Sequence, residues 1–143
     1  MTYEINKFGG ASVNSASAVK NMADIVEHYS HKPVVIVVSA MGKTTNNLEL
    51  LVPRGGVLPS DWKETLAKVR DYHYGIIHEL FAKGSTDVEQ KVERLLHLLE
   101  EQLQQPSFDY NYSYDQIVSI GELISTTIVS EYLNYKGIAN KWI

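Results

Sequence analysis

Cysteine is absent from the 143 residues, which excludes a disulfide framework and thiolate zinc sites and leaves the apolar core to stabilise the chain. There is no surplus of positive charge: Lys and Arg number 13 against 17 Asp and Glu, a formal net charge of -4. Nucleic acid and anionic membranes are therefore not expected partners, although a small anionic ligand can still meet a local cationic pocket. Long apolar runs are missing too. The longest, Val34 to Val38, is far too short to span a bilayer, and Met1-Thr2-Tyr3-Glu4 carries an acid where a leader would carry apolar residues. A cytoplasmic protein is expected. What is present, 44% hydrophobic and 21% charged residues, describes an ordinary globular domain and excludes disorder or a coiled coil.

Residues Tyr3 to Phe8 alternate and stop abruptly at Gly9-Gly10, as a strand does at a turn. Val19, Met22, Ala23, Val26 and Tyr29 then recur at the spacing of one helical face, and Pro33 closes the following loop. Val34-Val35-Ile36-Val37-Val38 is a continuous β-branched run, expected to be buried on both faces of a parallel sheet. Right-handed β-α-β crossover puts Lys7 and Ser39 at the same, C-terminal edge of that sheet, where open α/β folds usually bind ligands.

A breaker-rich loop lies between Pro53 and Pro59, with Ser60-Asp61 as the expected cap and acidic first turn of a long helix. Its apolar face is Trp62, Leu66, Val69, His73, Ile76, Ile77 and Leu80, and it is expected to stop at Gly84. Thr86 and Glu89 form a capping-box pattern for a second helix through Val88, Val92, Leu95, Leu96, Leu99 and Leu103, closed by Pro106. The two should make an antiparallel hairpin. Phe108 to Tyr114 reads as a polar, aromatic loop, with Ser113 and Gln116 capping a third helix through Ile117, Ile120, Leu123, Ile124, Ile128 and Tyr132. Gly137 fits its C-cap, and Ile138 to Ile143 reads as a third strand in which the sequence ends. No internal repeat interrupts this single folding unit.

Three segments could carry chemistry. Lys7-Phe8-Gly9-Gly10 sets a lysine at a strand end beside two glycines whose N–H groups can approach an anion, a phosphate-grip arrangement. The bland alternative is a surface lysine before a tight turn. Ser39-Ala40-Met41-Gly42-Lys43-Thr44-Thr45-Asn46 imitates the end of a P-loop, but the glycine that motif needs is Val37, so a P-loop is rejected. Ser39 and Thr45 remain as hydroxyls able to bind a carboxylate, unless Thr45 or Asn46 merely caps the next helix. In Ser119-Ile120-Gly121-Glu122-Leu123-Ile124-Ser125 the acid is the odd residue. Glu122 either faces water or is aimed into a site to accept from an ammonium.

Other groups carry less. His28 and His31, and His73 and His78, lack zinc-ligand spacing and read as surface or core residues, so no metal ligand set is expected. Glu89, Glu93, Glu100 and Glu101 read as a solvated helix face, and Tyr110, Tyr112 and Tyr114 as packing groups.

Taken in order, Lys7 to Val13, Val38-Ser39-Ala40 with Thr45-Asn46, and Ser119 to Ser125 resemble the N-terminal part of the aspartate kinase family over essentially the whole chain. The resemblance implies an α/β fold: the α/β/α sandwich of amino acid kinases, mainly parallel and here truncated. It implies transfer of the ATP γ-phosphoryl group to the side-chain carboxylate of L-aspartate, with Mg2+, as the first step toward lysine, threonine and methionine. Carried over by motif, Lys7 bridges donor and acceptor as the catalytic residue, with Phe8, Gly9 and Gly10 at the phosphates. Ser39 and Thr45 hold the substrate and Glu122 pairs with its amino group. Ala11 stands where the family usually has threonine, so a hydrogen bond assigned there does not carry over.

In the family the aspartate-clamping arginine, the nucleotide-binding segment and the regulatory ACT domains lie beyond the position of Lys141-Trp142-Ile143. Residues 1–143 are thus expected to be an incomplete catalytic domain with little or no turnover alone. An open strand edge favours a homo-oligomer. Acetylglutamate, glutamate 5- and uridylate kinases share the implied fold, and a non-catalytic interaction module is the alternative of a different class.

Overall fold

The β-branched run Val34–Val38 forms strand β2, which pairs in parallel with β1, Glu4–Phe8, in the register Ile5 to Val35, Lys7 to Val37 and Phe8 to Val38. The computed structural model describes residues 3–29 and 32–143; His31 and the side chain of Tyr29 lie outside what it describes. Between the strands, a 3-10 turn at Gly10–Val13 leads into helix α1, Ala16–Tyr29, whose Val19, Met22, Ala23 and Val26 are buried as their spacing predicts.

Four further helices follow: α2 Thr44–Glu49, α3 Trp62–Phe81, α4 Thr86–Gln104 and α5 Tyr110–Tyr135. The apolar stripes read from the sequence are the stripes that are buried, including His73 in α3 and Leu96, Leu99 and Leu103 in α4. Arg70 pairs with Glu93 at 3.1 Å, Tyr74 donates to Glu93, and His78 lies 3.0 Å from Glu89. Ascending α3 therefore meets descending α4, which is the expected antiparallel hairpin. At about 1.5 Å per residue α5 runs for roughly 39 Å, long enough to pack on α2, α3, α4 and β2 together. Lys136 beyond its end reaches back to Asp24 of α1 at 2.8 Å. No helix among the described residues is long and apolar enough to cross a membrane.

Several expectations change. The sheet is covered on one face only: Phe8, Val34, Ile36 and Val38 meet the core, while Ile5 is 71% exposed, Val37 45% and Val35 37%. A β-branched run reports that a strand can be buried twice, and this chain supplies a helical layer for only one side. Helix α5 begins at Tyr110 rather than after Ser113, because the Asp109 carboxylate accepts from the Tyr112 N–H at 3.1 Å and caps it first. The segment bearing Tyr110, Tyr112 and Tyr114 is thus helix, not loop. Helix α4 is preceded by Ser85, so Thr86 lies inside it, and α3 ends at Phe81, short of Gly84. The cap of α3 is Asp61, with no side-chain bond to the helix.

Ile138 to Ile143 form no strand. Gly137 turns the chain with N–H bonds from Gly137 to Asn134 O and from Ile138 to Leu133 O, a Schellman stop. Asn140 then bonds Ser130 and Asn134, and the Trp142 indole donates to Thr126 Oγ1 at 2.9 Å. These bonds tether the segment to α5, and it faces β2 across a cleft without joining the sheet.

Because Asp109 rather than Ser113 caps α5, Asp109→Ala should lower stability by about 1 kcal/mol, while Gln116→Ala should stay within about 0.5 kcal/mol of wild type. Urea midpoints at unchanged slope test this, and a larger loss at Gln116 would restore the later start.

Candidate functional site

Alternation along β1 turns Lys7 outward, onto the uncovered face, and Phe8 inward onto the core. Lys7 Nζ donates to Ser39 Oγ over a long 3.5 Å, which brings the two residues together at the C-terminal edge of the sheet. Phe8 spends its side chain on packing, and its carbonyl accepts from the Ser39 N–H at 3.0 Å. The glycines differ from each other. Gly9 is extended, and a Cβ there would meet nothing within 4 Å. A Cβ on Gly10 would lie 2.7 Å from the Ala40 carbonyl oxygen. Gly10 is thus required by the loop after β2 pressing against the loop after β1, which the Gly42 N–H to Gly10 O bond of 3.0 Å also records.

The segment from Ser39 to Thr45 is held from several sides. Buried Ser125 donates to the Ser39 carbonyl at 2.8 Å. Gly121 lets α5 approach so closely that a Cβ there would stand 3.2 Å from both Ala40 Cβ and Thr44 Cγ2. Buried Thr44 donates its hydroxyl to Met41 O at 2.7 Å. Lys43, not Thr45 or Asn46, occupies the N-cap position of α2, so Thr45 is free of capping duty.

Thr45 opens instead onto a cleft of about 480 Å³ lined by Tyr114, Asp115, Val118, Ser119 and Glu122. Glu122 is both exposed and aimed at this cleft, which joins the two readings that its helical position left open. Asp115, Ser119 and Glu122 fall at i, i+4 and i+7 on α5 and so share a face. At the rim Tyr114 donates to Glu49 at 2.7 Å, and that bond raises the phenol above its ordinary range. Lys7 and Ser39 do not line this cleft, so the site residues form two groups joined through the Ser39–Thr45 segment. Hydroxyl donors and carboxylates across a cleft suit a small molecule carrying both an ammonium and a carboxylate. No group of three or more acidic or imidazole side chains able to hold a metal ion occurs among the described residues.

Sequence reasoning missed how α3 supports this edge. Tyr72 donates to the Asn14 carbonyl at 2.7 Å, and fully buried His73 faces Thr44 Oγ1 from Nε2 at 3.4 Å while Nδ1 lies 2.7 Å from Val69 O. The carbonyl can only accept, so Nδ1 carries the proton. Burial pushes the imidazole pKa down, against a smaller upward effect of the Val69 bond. His73 was legible as a core position, but its partner Thr44 lies 29 residues away, beyond any local pattern. His28 and His78 are exposed.

A family model, the amino acid kinase family, matches residues 4–143. The chain is 36% identical to the chloroplastic aspartokinase 1 of Arabidopsis thaliana, covering 94% of this chain and 24% of that protein. It is 30% identical to the lysine-sensitive aspartokinase 3 of Escherichia coli, over 96% of this chain and 30% of that protein. It superposes on Escherichia coli aspartokinase III in complex with aspartate and ADP with a TM-score of 0.85 at 28% identity, covering 99% of this chain and 31% of that one. The same enzyme in complex with lysine and aspartate gives a TM-score of 0.84. The α/β fold expected from the sequence is therefore the fold observed, and the chain spans about a quarter to a third of the length of these relatives.

Two outcomes test the geometry. Gly10→Ala should cost about 1–3 kcal/mol by overpacking, and Gly9→Ala, with open space, should stay within about 0.5 kcal/mol. His73 binds a proton less readily folded than at its unfolded value of 6.5. Stability should therefore be full above that pH and fall as the pH drops through it, because the unfolded chain takes up the proton first. Urea unfolding across this range should show the slope, and His73→Gln should flatten it; an unchanged slope would place the effect elsewhere.

Proposed function

The chain belongs to the amino acid kinase family, and from that premise we propose that it supplies the acceptor side of an aspartate kinase site. The reaction is attack by a side-chain carboxylate oxygen of L-aspartate on the γ-phosphorus of MgATP, with cleavage of the bond to ADP. The products are 4-phospho-L-aspartate and ADP, the first step toward lysine, threonine and methionine. The cleft in which Thr45 and Glu122 face each other across α2 and α5 carries this reading. Glu122 accepts from the α-ammonium of the substrate, and the Thr45 hydroxyl, with Ser39, holds a carboxylate.

Lys7 neutralises the phosphoryl group in flight, and the backbone of Phe8, Gly9 and Gly10 lies beside the phosphates. A carboxylate is already nucleophilic, so alignment and charge neutralisation suffice and no histidine base is called for. Magnesium arrives as part of the nucleotide. Acetylglutamate has no free ammonium for Glu122 to meet, which favours an unblocked amino acid.

The matched relatives are three to four times longer, and we assign these residues to part of a catalytic domain that turns over little or nothing alone. The uncovered sheet face of Ile5, Val35 and Val37 favours self-association in a cytoplasmic enzyme.

The test is ADP release from MgATP with L-aspartate, L-glutamate, acetylglutamate and UMP offered separately. It is run on this chain and on a form extended with the remaining segments of the family. Turnover specific to L-aspartate in the extended form alone is expected, with Glu122→Gln raising its KM about tenfold or more, as loss of a charged hydrogen bond does. Preference for another acceptor, or silence from both forms, would overturn the assignment.

A further inference from the structure

Two loops meet at the edge where the site residues gather: the one after β1, which begins at Gly9, and the one after β2, Ser39 to Lys43, which leads into α2 and Thr45. They touch each other directly through the Gly42 N–H to Gly10 O bond, and α3 adds a second link between them. Tyr72 supplies that link, and its neighbour His73 backs the start of α2. The Tyr72 hydroxyl donates to the carbonyl of Asn14, at the end of the first loop, over 2.7 Å. The same hydroxyl lies against Gly42 in the second loop, 2.5 Å from where a Cβ would stand. Gly42 has a φ of +55 and donates its N–H to Gly10 O, so the tyrosine oxygen closes a ring of contacts through Asn14, Gly10 and Gly42.

His73 acts one residue further on. Its Nδ1–H is committed to Val69 O, which fixes the ring and leaves Nε2 as an acceptor facing the Thr44 hydroxyl at 3.4 Å. That hydroxyl has a single proton, which it shares between Met41 O at 2.7 Å, within the turn that opens α2, and Nε2 as the longer arm. The imidazole thus backs the turn whose next residue is Thr45. It is wholly buried, and the edge of the Tyr72 ring packs on it at 5.1 Å between centroids. Neither side chain lines the cleft.

We infer that Tyr72 and His73 are positioning residues: Tyr72 fixes the loop after β1, at Asn14, against the loop after β2, at Gly42, and His73 sets the placement of Thr45 through Thr44. Only the ligand arm of the test below rests on the aspartate reading.

Residue-resolved amide exchange of the unliganded chain decides the positioning claim by itself. Tyr72→Phe keeps the ring and removes only the hydroxyl, so it should leave the fold intact. It should speed exchange at Gly42 and Ser12 about fivefold, the effect of one lost hydrogen bond on a local opening. Arg54 and Val57, which bond each other in the distant turn, should not change. His73→Phe should do the same at Thr44, and His73→Gln, which still reaches Thr44, should return that amide to within about twofold of wild type.

In the ligand arm, L-aspartate is titrated against the resonances of Thr45 and Glu122. Affinity should fall about fivefold in His73→Phe and recover in His73→Gln, with Tyr72→Phe within about twofold. Unchanged exchange at Gly42 and Ser12, equal effects of Phe and Gln at position 73, or faster exchange everywhere would overturn the inference. Changed exchange at the named amides with no response to L-aspartate would leave the positioning roles standing and count against the aspartate reading.

Discussion

The candidate site depends on how closely two stretches of backbone approach Ala40. Gly10 approaches from the loop after β1, Gly121 approaches from α5, and at each a Cβ would crowd Ala40. A side chain at either position would force its neighbours to give way, and the hydroxyl and carboxylate groups that those elements carry would shift with them. Small residues here act as close-packing devices, in the sense that protein interiors tolerate neither voids nor overlap. The motifs read in the sequence as chemistry are therefore also the motifs that let the elements touch. Gly10 is the clearest case, since its lack of a side chain has a steric cause beside any part it has in binding a phosphate.

Around that junction the polar groups are satisfied in a directed order. Ser125 holds the carbonyl of Ser39, Thr44 holds that of Met41, and Tyr72 holds that of Asn14. Ser125 and Tyr72 satisfy the backbone of loops they do not belong to, and Thr44 closes the turn that it ends, which is how loops with few bonds of their own are kept in place. The charged groups with the most perturbed surroundings lie elsewhere. Burial and a bond to Glu93 push Tyr74 up to about 12, and Tyr74 and Arg70 hold Glu93 low. That cluster binds α3 to α4 and so steadies the helix from which Tyr72 and His73 project. Its perturbation belongs to scaffold rather than to chemistry, which is why a shifted pKa is not by itself a sign of a site.

The exposed outer face of the sheet belongs to the same account. Ile5, Val35 and Val37 are residue types that a solvated face rarely collects together. Lys7 stands among them, and its long bond to Ser39 is weak restraint for a flexible side chain. Under the proposed function, such freedom would let Lys7 follow a moving phosphoryl group, whereas Glu122 and Thr45, proposed to grip the substrate, stand on helices. The division between a mobile cation on a strand end and fixed groups on helices follows from where each motif falls in the chain.

The order and type of most elements, the buried stripes of α1, α3 and α4, the parallel pairing and the three motifs were all legible in the sequence, because each depends on local spacing or on chain order. The errors arose where two local signals competed or where a partner was distant. Asp109 outcompeted Ser113 for the start of α5, and Ile138 to Ile143 follow the polar anchors of Asn140 and Trp142 instead of their strand propensity. Spacing along the chain determines which face of an element is apolar and which residues lie at its ends. It cannot determine that Glu122 shares a cleft with Thr45, that Gly10 touches Ala40, or that His73 backs Thr44. Those facts depend on contacts between residues far apart in sequence, and only the packing of α3 and α5 against the loops at the sheet's edge decided them.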